Sequence, residues 1–329
     1  MKYCTHCGLP ETYSGIHLDD QGVCNFCHFY ESHRNVLENE EELERQFSSR
    51  LEAAKARAKE TGSKYDCLVG LSGGKDSTYI IYQLKHKYNM RILAFTYDNG
   101  FATDYGRKNV ITALENLDVD HISFSMSPSE LQKYNRMCVK MFRNFCMLCF
   151  HFTHYYSHLI ASEKKIPLIV NGRTKGQVLQ SADHEKLIEP FERSMNFADF
   201  EYQMFGDKVE KTAKSGRMDY LKDAEIESLS YFMYHPYNAE EIMDFLETHI
   251  NWKRPEKGMP HADCWAHAMA EKYHLDSHGY PIMTGELAVM VRRGELSITE
   301  AAKIRNADTK RYQNPDSETQ KRFEDAVGL

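Results

Sequence analysis

Between the apolar run Asp66-Cys-Leu-Val-Gly-Leu71 and the helical pattern Thr78-Tyr-Ile-Ile-Tyr-Gln-Leu84 lies Ser72-Gly-Gly-Lys-Asp-Ser77, and no other stretch narrows the choice of fold as much. An apolar strand, a tight glycine turn and a helix open an α/β unit. The alternation continues downstream. Arg91 to Tyr97 reads as a strand ending in Asp98-Asn-Gly100, Asn109 to Leu117 as a helix and His121 to Ser125 as a strand. Helical stretches follow around Leu131 to Phe142 and Phe152 to Lys164, and Ile166 to Gly172 reads as a fourth strand. This order predicts a mostly parallel sheet with helices on both faces. Ligands of such sheets bind at the carboxyl ends of the strands, where Ser72, Asp98 and Gly172 would converge.

The loop itself has the chemistry of an anion site. Its glycines let the backbone approach a ligand, consecutive N–H groups and a helix N-terminus face an anion, and Lys75 adds a point charge. It has neither the G-x-x-x-x-G-K-[ST] nor the G-x-G-x-x-G spacing. On pattern alone a plain turn is the competing reading, and its place between strand and helix favours phosphate.

Nine cysteines in 329 residues are too many to pass over. The first residues, Met1-Lys-Tyr-Cys-Thr-His-Cys7, hold no apolar core of a signal peptide, and no apolar run approaches the roughly 18 residues of a membrane helix. A cytoplasmic, membrane-free protein is expected, in which clustered cysteines mean metal or catalysis rather than disulfides. Cys4-x-x-Cys7 and Cys24-x-x-Cys27 have the spacing of a tetrahedral Cys4 zinc site. The turns between them carry too few apolar residues to fold alone, so zinc would supply the folding energy. A metal-stapled cap is favoured over a recognition finger.

Cys146-Met-Leu-Cys149 is a third pair, and the only cysteine after it is Cys264. Three cysteines suit an iron-sulfur cluster with one open iron. A redox dithiol is the second reading, and small buried hydrophobes in a helix the third. Cys67 and Cys138 fit the last. His151, His154 and His158 recur at helical spacings beside Cys149, most simply as structural residues, with an acid or base role if one lines the site. Arg173-Thr-Lys-Gly-Gln177, after the fourth strand, is equally well a solvated turn or a loop meeting substrate.

The expected organisation is a Cys4 zinc ribbon over 1–31, a charged helical linker over 32–64, an α/β core bearing the anion loop over 65–180, and a substrate-side insertion with a helical C-terminal region over 181–329. Within the last, Glu240 to His249, Gly285 to Val291 and Ile298 to Arg305 read as helices.

Ser72-Gly-Gly-Lys-Asp-Ser77 resembles the signature of the PP-loop ATP pyrophosphatases, the adenine nucleotide alpha hydrolase-like superfamily. The resemblance covers about residues 64 to 180. It implies ATP cleavage between the α and β phosphates, with AMP attached to a substrate oxygen that nitrogen or sulfur then replaces. It also implies pyrophosphate at Ser72, Gly73, Gly74, Lys75, Asp76 and Ser77, Mg2+ at Asp76, and adenosine near Asp98 and Gly172.

Two subfamilies compete. The ribbon with Asp19-Asp-Gln-Gly-Val-Cys-Asn-Phe-Cys27, the stretch Tyr65 to Ser77 and the tail Val291-Arg-Arg-Gly-Glu-Leu-Ser-Ile-Thr-Glu-Ala-Ala302 resemble N-acetyl sugar amidotransferases of surface-polysaccharide synthesis. Cys146-x-x-Cys149 resembles the iron-sulfur-dependent thiolases, in which three cysteines hold a [4Fe-4S] cluster; here Cys146, Cys149 and Cys264 would hold it. The tRNA-type thiolases carry a second, C-terminal ribbon, and this tail has no cysteine. The formal net charge of −7 likewise lacks the footprint of a nucleic-acid binder. A small-molecule substrate is therefore expected.

The function expected first is ATP- and Mg2+-dependent adenylation followed by sulfur transfer, with Lys75, Asp76, Cys146, Cys149 and Cys264 as catalytic residues and a separate sulfur donor. The alternative is an amidotransferase fed with ammonia by a glutaminase partner, since no Gly-x-Cys-x-Gly segment occurs. A nucleotide-binding sensor is the non-enzymatic reading, and a homodimer is compatible with all three.

Overall fold

The computed structural model describes residues 2–180, 226–255 and 263–329. The expected insertion from Ser181 to Lys222, and His261, lie outside them. Five strands form one sheet: β1 Cys67–Gly70, β2 Ile92–Asp98, β3 Asp120–Ser125, β4 Leu168–Asn171 and β5 Glu227–Ser230. Their order is β3-β2-β1-β4-β5 and every pairing is parallel, with Val69 in register with both Ala94 and Val170.

Side chains of a strand alternate between faces, so a central strand must be apolar on both. Cys67, Val69, Ile92, Ala94, Leu168 and Val170 pack on one side with Ile80, Ile81 and Leu84 of α3, Lys75–His86. Leu68, Leu93, Phe95 and Ile169 pack on the other with Ala161 of α6, Cys146–Glu163. The α/β sandwich expected from the alternation is the fold observed.

Two elements depart from the sequence reading. The charged stretch expected as a helical linker over 32–64 is helical, in α1 Asn25–Leu37, which begins inside the expected ribbon, and in α2 Glu40–Thr61. Yet Leu43, Phe47, Leu51, Ala54 and Ala58, spaced by three and four, bury one stripe of α2 in the core against Tyr231 and Tyr234. It is a layer of the domain. Strand β5 was not anticipated, because Glu-Ser-Leu-Ser carries a single fully buried apolar residue, Leu229.

The chain ends in the helices His267–His278, Thr284–Arg293, Ile298–Tyr312 and Ser317–Val327. The first and the last were not read from sequence, and Phe323 and Val327 of the last are fully buried. No described helix is long and apolar enough to cross a membrane.

Candidate active site

The order β3-β2-β1-β4-β5 reverses direction between β1 and β4, and the loops leaving those two strands face each other across that gap. After β1, Gly73 takes φ +82°, and Gly74 caps α3. A Cβ on Gly73 would lie 2.1 Å from the Gly106 carbonyl oxygen of α4, Asp104–Leu117, so only glycine fits. Ser77 Oγ accepts from the Ser72 N–H (3.3 Å), and Ser72 Oγ accepts from the Gly74 N–H (3.3 Å). The loop is thereby folded onto the first turn of α3.

Lys75 Nζ lies 3.1 Å from Asp76 Oδ2. Burial alone would lower the Lys75 ammonium, but Asp76 and Tyr237 beside it outweigh this and hold it above the usual lysine range. The other carboxylate oxygen, Asp76 Oδ1, is buried and has no hydrogen-bond partner among the described residues. An orphaned carboxylate oxygen beside an anion loop is a donor that a divalent cation would satisfy, so the residues fit Mg2+.

After β4, Thr174 caps the short helix α7, Lys175–Leu179, through a capping box with Gln177. Thr174 Oγ1 donates to Glu286 Oε1 (2.6 Å), and Lys175 Nζ donates to the Leu37 carbonyl (2.6 Å) and sits 3.2 Å from Glu38 Oε2. Arg293 Nε is 3.2 Å from the same Glu38. Thr174, Lys175, Glu286, Arg293 and the loop line one cavity of about 740 Å³ that also takes Tyr105, Tyr237, Trp252 and Asp263. Of the stretch 173–177, residues 174 to 177 line the cavity. Glu286, Trp252, Tyr237 and the Glu38 network were not singled out from sequence, because nothing local marks them.

Of the expected adenosine pair, neither lines this cavity. Gly172 abuts α3, where a Cβ would stand 3.3 Å from Asp76 Cβ. Asp98 accepts from the Gly100 N–H (3.0 Å), holding the turn that carries Asn99.

That turn leads to the second cysteine group. Asn99 Nδ2 donates to Cys149 Sγ (3.0 Å), Trp265 N donates to the Phe101 carbonyl (3.0 Å), and Ala102 bridges Cys264 in antiparallel fashion. Cys146 and Cys149 occupy the first turn of α6. Burial pushes the Cys264 thiol up to about 12, and the neighbouring Cys149 adds to the rise. Among the described residues, only the ribbon cysteines bring three or more ligating atoms within 4.8 Å of one another. Cys146, Cys149 and Cys264 are not that close to one another in this structure, and three thiols are the donor set of an iron-sulfur cluster with one open iron. Burial lowers His154 to about 3 and His151 to about 4, favouring the neutral imidazole.

Cys4, Cys7, Cys24 and Cys27 are buried together, with Sγ separations of 3.6 to 3.8 Å. Four thiolates at the zinc–sulfur bond length define a tetrahedron with edges of about 3.8 Å, so the group fits one zinc ion. Arg292 Nη2 lies 3.4 Å from Cys7 Sγ. Ala288 and Val291 pack on the ribbon, while Glu286, Val289, Met290 and Arg293 of the same helix face the cavity. Ribbon residue Tyr13 donates to the Gln180 carbonyl (3.1 Å) just beyond α7, and its hydroxyl would stand 2.2 Å from a Cβ on Gly285. The ribbon thus backs the cavity wall rather than projecting as a finger.

No protein-family model matches the chain. An uncharacterized protein of Methanocaldococcus jannaschii is 23% identical over 245 residues, 74% of each chain. Among solved structures, the U34-tRNA thiolase NcsA from Methanococcus maripaludis with its [4Fe-4S] cluster aligns with a TM-score of 0.38 and 18% identity, over 89% of this chain and 86% of that one. NH3-dependent NAD synthetase from Campylobacter jejuni aligns at 0.32 and 11%, over 55% and 92%. NMN synthetase from Francisella tularensis aligns at 0.32 and 14%, over 71% and 94%.

Proposed function

We propose that the protein is an ATP pyrophosphatase of the PP-loop type that adenylates an oxygen of a small molecule and exchanges it for sulfur. The observation that carries the reading is the run Asp263-Cys264, in which a wall residue of the phosphate-loop cavity is followed directly by a member of the cysteine trio that bridges Ala102, beyond the end of β2.

In the first step a carbonyl or amide oxygen of the substrate attacks the α-phosphorus of ATP. The oxygen–phosphorus bond forms, the bond to the bridging oxygen breaks, and pyrophosphate departs with the electron pair. Lys75, the loop amides and the α3 N-terminus stabilise the charge on the leaving group. Asp76 would hold Mg2+, which neutralises charge on the phosphates when bound. In the second step sulfide adds to the activated carbon and AMP leaves with the original oxygen. Cys146, Cys149 and Cys264 would hold a [4Fe-4S] cluster, which supplies a site for the incoming sulfide when bound. Asn99 steadies Cys149 by its 3.0 Å hydrogen bond.

A small substrate suits a cavity of about 740 Å³ in a chain whose formal net charge is −7, a balance that lacks the electrostatic footprint of a nucleic-acid binder.

A second reading keeps the adenylation and replaces the oxygen with nitrogen, taking ammonia from a separate glutaminase. It is favoured by the meeting of two stretches, Asp19 to Cys27 and Val291 to Ala302, that resemble sugar amidotransferases: Arg292 of one lies against Cys7 beside the other.

The test is to supply ATP, Mg2+ and either sulfide or ammonia, anaerobically, with panels of carbonyl and amide acceptors, and to follow AMP, pyrophosphate and product mass. Oxygen-for-sulfur exchange supports the first reading. AMP formation driven by ammonia alone supports the second, and ATP binding without pyrophosphate release under any condition overturns both.

A further inference from the structure

The Gly73 carbonyl oxygen accepts a hydrogen bond from the indole Nε1 of Trp252, 3.0 Å away and 179 residues later in the chain. We infer that Trp252 is a positioning residue of the phosphate loop, which fixes the Gly73-Gly74 peptide with its carbonyl turned away from the ligand. This rests on the reading of the loop as a pyrophosphate site.

An anion site built from backbone N–H groups works only while the neighbouring carbonyls point elsewhere, since one inward carbonyl replaces an attraction by a repulsion. Glycine at φ +82° followed by a second glycine leaves this peptide without side chains to oppose its rotation. The restraint has to come from outside the loop. Trp252 is 2% exposed, so its N–H has no water to turn to, and breaking the bond would strand a buried donor.

The indole is itself held firmly. Trp252 N donates to the Leu246 carbonyl (3.3 Å), and the ring meets Tyr105 edge-on at 6.1 Å. The next residue is clamped to α4, with Lys253 N donating to Asn109 Oδ1 (3.1 Å) and its carbonyl accepting from Asn109 Nδ2 (3.0 Å) and the Tyr105 hydroxyl (2.8 Å). Gly106 of the same helix presses its carbonyl against Gly73. One helix therefore supports the loop from behind both directly and through Trp252.

The experiment is calorimetric titration of the full-length protein with inorganic pyrophosphate plus Mg2+, and separately with adenosine. Trp252→Phe is expected to weaken pyrophosphate about tenfold or more while leaving adenosine unchanged. Because a phenyl ring also repacks the site, the same titrations are run with benzothienylalanine at position 252, which keeps the shape and replaces only the N–H. It should reproduce the selective loss. Unchanged pyrophosphate affinity in the benzothienylalanine protein, or equal weakening of both ligands, overturns the inference. A wild-type protein that binds no pyrophosphate would instead remove the reading of the loop, and the inference with it.

Discussion

Asp263 and Cys264 are consecutive residues with different neighbours. Asp263 lines the phosphate-loop cavity, with Oδ2 3.6 Å from where a Cβ on Gly74 would stand, while Cys264 belongs to the trio with Cys146 and Cys149. The segment is pinned by bonds from Thr103 N to the Asp263 carbonyl and from Trp265 N to the Phe101 carbonyl, each 3.0 Å. Cys264 is a single antiparallel bridge residue set between turn residues, so the strap holds Asp263 and Cys264 against different parts of the fold.

The hydrogen bond from Asn99 to Cys149 has an electrochemical consequence if the trio carries a cluster. A donor to a ligating sulfur stabilises the more negative, reduced state. Asn99→Ala should therefore lower the reduction potential without changing iron content, as read by EPR-monitored titration. An unchanged potential would show that this bond does not reach the metal.

Gly73 and Gly70 respond differently to alanine. At Gly73 a Cβ meets the Gly106 carbonyl at 2.1 Å on a left-handed backbone, whereas at Gly70 nothing lies within 4 Å. Gly73→Ala should cost about 2 kcal/mol or more, and Gly70→Ala no more than about 0.5 kcal/mol. Denaturant melts of the two variants decide this, and equal costs would contradict the packing.

Removal of the ribbon metal should loosen the cavity wall. Tyr13 ties Gln180 to the helix Thr284–Arg293, so chelation is expected to raise hydrogen exchange in 175–180 and 284–293 while β1, β2 and β4 stay protected. Exchange confined to residues 2–27 would mean that the ribbon does not support the wall.

Glu271 is 2% exposed, and burial pushes its carboxyl up to about 7 from an ordinary value of 4.5. The folded state holds the proton more tightly, so this group's contribution to stability is full below about pH 4.5 and is lost as the pH rises through about 7. Glu271→Gln, which still accepts from the Ile282 N–H, should be more stable than wild type at pH 8 by about 2–3 kcal/mol and converge with it near pH 4.5. A pH-independent difference would contradict this environment.

The parts legible in sequence were those written locally. Strands β1, β2 and β4 are largely apolar runs closed by turn residues, β3 alternates polar with Ile122 and Phe124, the anion loop is six consecutive residues, and the ribbon cysteines announce themselves by spacing. The rest depends on partners far along the chain. The buried stripe of α2 is one residue in three or four of a highly charged helix, and it reads as core only once Tyr231 and Tyr234 cover Phe47. Trp252 acquires meaning from Gly73, and Tyr13 from Gln180, 167 residues away. Glu286 looks like any helical glutamate until Thr174 meets it at 2.6 Å.

The most direct test of the central claim is iron, sulfide and zinc analysis of anaerobically purified and reconstituted protein, wild type beside Cys146→Ala, Cys149→Ala and Cys264→Ala. The account expects about four irons and four sulfides beside one zinc in the wild type, with iron lost and zinc kept in each variant. Zinc alone in the reconstituted wild type, or iron that survives all three substitutions, would contradict sulfur transfer at the trio.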